Sequence, residues 1–124
     1  MAYTDAPNAA ERMGEFIEGC RRHDILCSSF HLSSGYTSIG PRRYVFHWNR
    51  EKFPDPHGFV QSYRDAGVEL VANIKPVLLR DHPQFREAAR QGLFLKDASG
   101  EPAMEQFWDG VGAYLDFTNP DAAR

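Results

Sequence analysis

The sequence predicts an α/β fold of βα units, parallel strands joined by crossover helices, on two observations. A helix–glycine–strand pattern runs through "FPDPHGFVQSYRDAGVELVANIKP" and returns from Pro83 to "LFLK". Such alternation of helical and extended runs builds parallel sheets. The composition suits a packed chain of this kind, with 42% hydrophobic and 25% charged residues over 124 positions. That length allows one domain, so residues 1–124 are taken together with no second domain. The net charge of −3 comes from interleaved acids and bases, which leaves no electrostatic footprint for nucleic acid or an anionic membrane. No apolar run approaches the ~18 residues of a membrane span. The first residues lack the charged and apolar regions of a signal peptide, which favours the cytoplasm only slightly and leaves location open.

The elements follow in order. In "NAAERMGEFIEGCRRHD", Met13, Phe16, Ile17 and Cys20 recur at helical spacing and bury one stripe. Asn8 or Asp5 is placed to cap its start, and Arg21, Arg22 and His23 suit its negative end. "ILCSSF" is a short strand that turns polar at its C-terminal end. Cys20 and Cys27 form no CxxC pair and are expected reduced and buried. "HLSSGYTSIGPRR" is a loop, and "YVFHW" alternates like a short strand or extended arm. Asp55 then caps a helix with Pro56 at its first position, Phe59, Val60 and Tyr63 on its inner face, and Gly67 just past its end.

"VELVANI" is the next strand, ended by Pro76. Pro83 opens a second helix with Phe85, Ala88 and Ala89 inside and Gly92 after it, placing the two helix ends at Ala66 and Gln91. "LFLK" follows as a strand, and "DASGEP" forms the tip of a hairpin to "AMEQFW". Asn119 and Pro120 start another helix, of which only Asp121 to Arg124 remain. One turn is too short to hold itself in water, so the sequence is expected to be cut from something longer.

In parallel βα folds, ligands sit beyond the C-terminal ends of strands. That rule selects Ser28, Ser29, Phe30 and His31 after the first strand, Lys75 after the second, and Trp108, Asp109 and Asp116 after the third. Each has a structural alternative. Trp108 beside Phe107 could cover core, Lys75 could be a solvated charge, and the serines could bond a turn. His31 with Cys27 supplies two ligands, which do not make a metal site. No metal and no cofactor are expected. Gly110-Val111-Gly112 lacks the rest of a phosphate-loop pattern, and neither GxSxG nor HExxH occurs.

"FHWNREKFPDP", "GVELVANIKP", "GLFLKDASGEP" and above all "FWDGVGAYLDFTNPDA" resemble glycoside hydrolase family 31 in order and spacing, from about Gly14 to Arg124. The resemblance implies a retaining α-glycosidase on a (β/α)8 barrel, which typically takes about 250 residues. It therefore implies a partial TIM barrel: about the second to third βα units, an inserted hairpin and the start of the next helix. It implies that nucleophile and acid/base lie beyond Arg124, so that no catalytic residue is present and the isolated chain is inactive. The partners it implies are an α-linked oligosaccharide or glycoside and the rest of the barrel.

By the same resemblance Trp108 lines the sugar pocket. Ser28 or Ser29 stands where the family usually has an acid, with Phe30 and His31 alongside. Lys75 replaces the usual Asp or Asn before the proline, and Asp109 replaces a Pro. Opposite charges at these two departures suggest that Lys75 and Asp109 pair. The competing readings are a non-catalytic carbohydrate-binding or interaction module built on half a barrel, and a small complete α/β domain with an unrelated ligand.

Overall fold

The computed structural model describes residues 2–124. In chain order the elements are α1 (Ala2–Asp5), α2 (Ala9–Arg22), β1 (Ser29–Leu32), a 3-10 turn (Ser34–Thr37), β2 (Ser38–Ile39), β3 (Arg42–Arg43), α3 (Pro56–Asp65), β4 (Glu69–Ala72), β5 (Val77–Leu79), α4 (Phe85–Arg90), β6 (Met104–Phe107), β7 (Gly110–Tyr114) and a closing 3-10 turn (Pro120–Ala123). They form two compact units, one made of the chain up to Ile39 with Phe46–Ile74, the other of Gly40–Val45 with Lys75–Arg124. The result is a small mixed α/β piece, with no closed barrel among the described residues.

The first unit is the expected βα unit. β1 and β4 pair in parallel, Ser29 opposite Glu69 through Leu32 opposite Ala72. α3 leads into β4 as its local chemistry dictates. The Asp55 carboxylate accepts the Gly58 N–H at 3.0 Å, and Pro56 occupies the first position, where no N–H is needed. Gly67 at φ +75° ends the helix in a conformation that only glycine adopts at no steric cost. Met13 and Ile17 of α2, with Phe59 and Tyr63 of α3, bury their side chains with Leu32, Tyr36, Phe53 and Val68. At α2, Asn8 holds the cap position but its amide bonds Glu11 at 2.9 Å rather than the backbone.

Two expected strands change. "YVFHW" is not extended: Phe46 sits at φ +63° and turns the chain, and Trp48 instead enters the aromatic cluster with Tyr36, Phe53 and Phe59. The first strand is displaced toward its C-terminus. It runs Ser29–Leu32 rather than through Ile25 and Leu26, and Leu26 is 99% exposed. Pairing with Glu69–Ala72 sets that register, because Phe30 and Leu32 then face the helices while Ser29 and His31 face outward. Both cysteines are free and half-buried, not fully buried as expected.

The second unit is antiparallel, with order β5-β7-β6. "LFLK" therefore adds no parallel strand. It contributes a Phe94–Leu115 bridge beside the sheet and a Lys96–Pro102 bridge closing the "DASGEP" turn, where the expected hairpin tip does form. "GVGAY", which carried no strand expectation, is the central strand. A Cβ on Gly112 would lie 2.6 Å from the Leu78 carbonyl oxygen and 2.8 Å from Val77 Cγ1, so β5 can approach β7 only against a glycine. Leu78, Phe94, Ala88 and Ala113 form this unit's core with Val45.

Tyr63 links the two helices of the first unit. Its buried hydroxyl donates to the Met13 carbonyl at 2.8 Å, and burial, followed by the nearby Cys27, Tyr3 and Cys20, pushes its pKa up. Tyr63→Phe leaves that carbonyl without this donor and is expected to cost about 1–2 kcal/mol in urea unfolding followed by circular dichroism. A raised pKa means the unfolded phenol ionises first. Stability is therefore intact below the unfolded value of about 10 and falls as pH rises above it. The fall should be shallower in Tyr63→Phe; parallel pH curves would refute the assignment.

Candidate functional site

The residues singled out from sequence divide between the two units. Ser28, Ser29, Phe30 and His31 belong to the first, and Lys75, Trp108 and Asp109 to the second. The displaced strand changes the standing of the first group. Ser28 precedes β1 and the other three lie within it, so none is beyond its C-terminal end. Phe30 is a core residue, its ring in edge contact with Tyr3, Phe16 and Tyr63 at 5.0–5.9 Å. Ser29 and His31 are exposed on the opposite face of the strand. The position directly past the end of β1 is Ser33, whose hydroxyl hydrogen-bonds that of Thr4.

The second group converges. β6 and β7 pair from Met104–Ala113 down to Phe107–Gly110, leaving Trp108 and Asp109 as a two-residue turn. Gly110 follows at φ +149°, a backbone conformation that suits glycine. Trp108 is 77% exposed, supported on one side by a stack on Phe107 with centroids 5.4 Å apart. The Lys75 ammonium lies 4.0 Å from the Trp108 ring centroid, a cation–π contact worth about 0.5–1 kcal/mol at such an exposed site.

Asp109 turns the other way. Its side chain is only 14% exposed and takes two bonds from Arg43, the backbone N–H at 2.9 Å and a guanidinium N–H at 3.3 Å. The ion pair of Asp109 is thus with Arg43, where the sequence suggested Lys75. Lys75 still senses the carboxylate. Desolvation and then the Arg43 charge push its pKa below the ordinary lysine value, and Asp109 opposes them. Arg43 is the residue that sequence reasoning missed. It lies in "GPRR", read as loop, 66 positions from its partner, and no local pattern connects the two.

Asp116 is occupied as well. Its carboxylate accepts the Thr118 hydroxyl at 2.6 Å and the Thr118 N–H at 2.9 Å, which lowers its pKa. It is a turn-forming side chain held as an anion. The Asn119 side chain accepts the Asp121 N–H at 3.0 Å, so the expected cap forms, on a 3-10 turn.

The cation over the indole has a spectroscopic signature. In a Trp48→Phe background, Trp108 emission should titrate with a midpoint below that of an ordinary lysine, and the transition should vanish in Lys75→Met. An unchanged titration in Lys75→Met would show that the ammonium does not act on the ring.

The model of the glycosyl hydrolases family 31 TIM-barrel domain matches residues 2–124. The α-xylosidase XylQ of Lactiplantibacillus pentosus is 29% identical over 114 residues, covering 92% of this chain and 15% of that protein. The myogenesis-regulating glycosidase of Mus musculus is 30% identical over 109 residues, covering 87% and 15%. The chain thus spans 15% of the length of both relatives. Among solved structures, the family 31 dextranase of Flavobacterium johnsoniae in complex with glucose superposes with a TM-score of 0.80 at 24% identity, over 96% of this chain and 15% of that one. A family 31 α-xylosidase from a soil metagenome, complexed with xylose, gives 0.76 at 19% identity, over 95% and 17%. With the domain model matched from residue 2 to residue 124, the chain belongs to glycosyl hydrolase family 31.

Proposed function

We propose that this chain is part of the (β/α)8 catalytic domain of a retaining α-glycosidase, about its second to third βα units with the inserted β6–β7 hairpin and the start of the next helix. In this reading it supplies wall residues of the sugar pocket, and the nucleophile and acid/base lie on segments outside these 124 residues. Family membership supports glycoside chemistry, and the names of relatives, α-xylosidase and neutral α-glucosidase among them, support α-linked substrates. The exposed Ile25 and Leu26, and a parallel pair of only two strands, are consistent with surfaces that a larger sheet would cover.

The observation that carries the reading is Trp108. A largely exposed indole at the tip of a hairpin, stacked on a second ring and held by a cation, contributes nothing to the core of its unit. It presents a flat apolar surface that suits the C–H face of a pyranose. The two carboxylates singled out from sequence are committed to structure, Asp109 to Arg43 and Asp116 to Thr118. A retaining glycosidase needs two carboxyl groups about 5–5.5 Å apart, one of them able to give up a proton. Neither Asp109 nor Asp116 fits, because each carboxylate is already engaged, Asp109 by Arg43 and Asp116 by Thr118.

Two outcomes follow. In the complete enzyme, Trp108→Ala is expected to lower kcat/KM for an aryl α-glycoside by about tenfold to a hundredfold, mainly through KM; an unchanged KM would remove Trp108 from the pocket. The purified 124-residue chain is expected to show no turnover of the same substrate, and measurable hydrolysis lost in a carboxylate variant would overturn the assignment of the chemistry to other segments. Saturable binding of an α-linked disaccharide by that chain, lost in Trp108→Ala, would favour the binding-module alternative.

A further inference from the structure

Arg43 holds a place that neither the family match nor the sequence reading assigns. A two-residue hairpin tip with one exposed side chain is ordinarily mobile, since nothing but its own turn fixes it. Here the tip is tied at its second residue. Both bonds to the Asp109 carboxylate come from Arg43, one from its backbone and one from its guanidinium, and the carboxylate is largely out of solvent. A buried carboxylate deprived of a donor is costly, so the bonded geometry is strongly preferred to any that frees it.

Arg43 is itself fixed from both sides. Arg42 pairs with Asp81 at 2.5 Å, and the Tyr44 hydroxyl donates to the same carboxylate at 3.1 Å. The next residue, Val45, accepts a hydrogen bond from His82 Nε2 at 2.8 Å, while the other ring nitrogen of His82 accepts the Gln84 N–H at 3.0 Å. Four consecutive residues, Arg42 to Val45, are thus bonded to the body of their unit, and the second of them holds the turn. The guanidinium Nε is buried and makes no hydrogen bond among the described residues, while Nη1 bonds Asp109. An arginine left with an orphan N–H is a cost accepted for the geometry it secures.

We propose that Arg43 is a positioning residue: through Asp109 it fixes the Trp108–Asp109 turn, and with it the aromatic surface that faces the sugar. The second clause rests on the pocket reading of Trp108, and the first does not. The backbone bond survives any side-chain change at position 43, so the effects are graded. Arg43→Met loses the guanidinium bond, Asp109→Asn keeps an acceptor but loses the charge, and Asp109→Ala loses both bonds.

The test measures time-resolved fluorescence anisotropy of Trp108 in the 124-residue chain with Trp48→Phe, beside kinetics of the complete enzyme. The fast local component is expected to grow in the order wild type, Arg43→Met, Asp109→Ala, with Arg43→Lys between the first two. KM for an aryl α-glycoside should rise about threefold to tenfold in Arg43→Met with kcat held within about twofold, and Arg43→Lys should recover part of it. If Arg43→Met does not fold, Arg43→Lys and Asp109→Asn carry the same comparison. Unchanged anisotropy in all variants overturns the proposal. A larger fast component with an unchanged KM upholds the positioning and sinks only the pocket reading; a loss of kcat alone, with KM and anisotropy constant, assigns Arg43 to something else and overturns it.

Discussion

One carboxylate organises the hairpin that carries Trp108. Asp109 sits in a turn that two paired strands would close without it, yet it is withdrawn from solvent and bonded twice to Arg43. A buried anion constrains its surroundings more tightly than a buried methyl group does. Apolar contacts are non-directional and tolerate sliding, whereas a carboxylate must keep its donors in line or be repelled from the interior. The hairpin tip inherits this rigidity, and so does the one large aromatic side chain it carries. The sheet beneath adds to it: Gly112 lets β5 close on β7, and Gly110 takes the backbone angle that ends the turn.

The fold was legible where the information is local. Asp55, Pro56 and Gly67 specify the start, first position and end of α3 within one short stretch, and each behaves as its chemistry requires. The helix ends at Ala66 and Gln91 were readable for the same reason. Strands were harder, because a strand is defined by its partner. "ILCSSF" has the composition of a strand along its whole length, but only the part opposite Glu69–Ala72 has one. "GVGAY" looks like a poor strand by propensity and becomes the central one, since close approach of two neighbours rewards the missing side chain. The βα pattern correctly gave the first unit and wrongly extended to the second, where "LFLK" supplies bridges to an antiparallel sheet.

The site was legible to the same degree. A strand followed by Lys75, and an aromatic residue with an acid at a turn, could be picked out by position. Their convergence in one unit is a tertiary contact, the Lys75 ammonium over the Trp108 ring, that no local pattern announces. The displaced register of β1 removed Phe30 to the core and left Ser28 ahead of the strand, so the positional rule failed there through an error of a few residues. Arg43 could not have been found, because "GPRR" offers two arginines in a loop and only tertiary structure sends one to Asp81 and the other to Asp109.

Charge at this hairpin serves geometry more than attraction. Two cations and one anion surround Trp108, which at first sight suggests a site for an anionic ligand. The pairing argues otherwise. Asp109 neutralises Arg43, and the remaining cation, Lys75, already rests against the indole with its charged form disfavoured by desolvation and by Arg43. An ammonium that is easier to deprotonate than usual and shares its field with a carboxylate is a weak lure for a second anion. The arrangement better suits the neutral ligand proposed above, a pyranose that lays its C–H face on the Trp108 ring, with its orientation set by how little the Trp108–Asp109 turn can move.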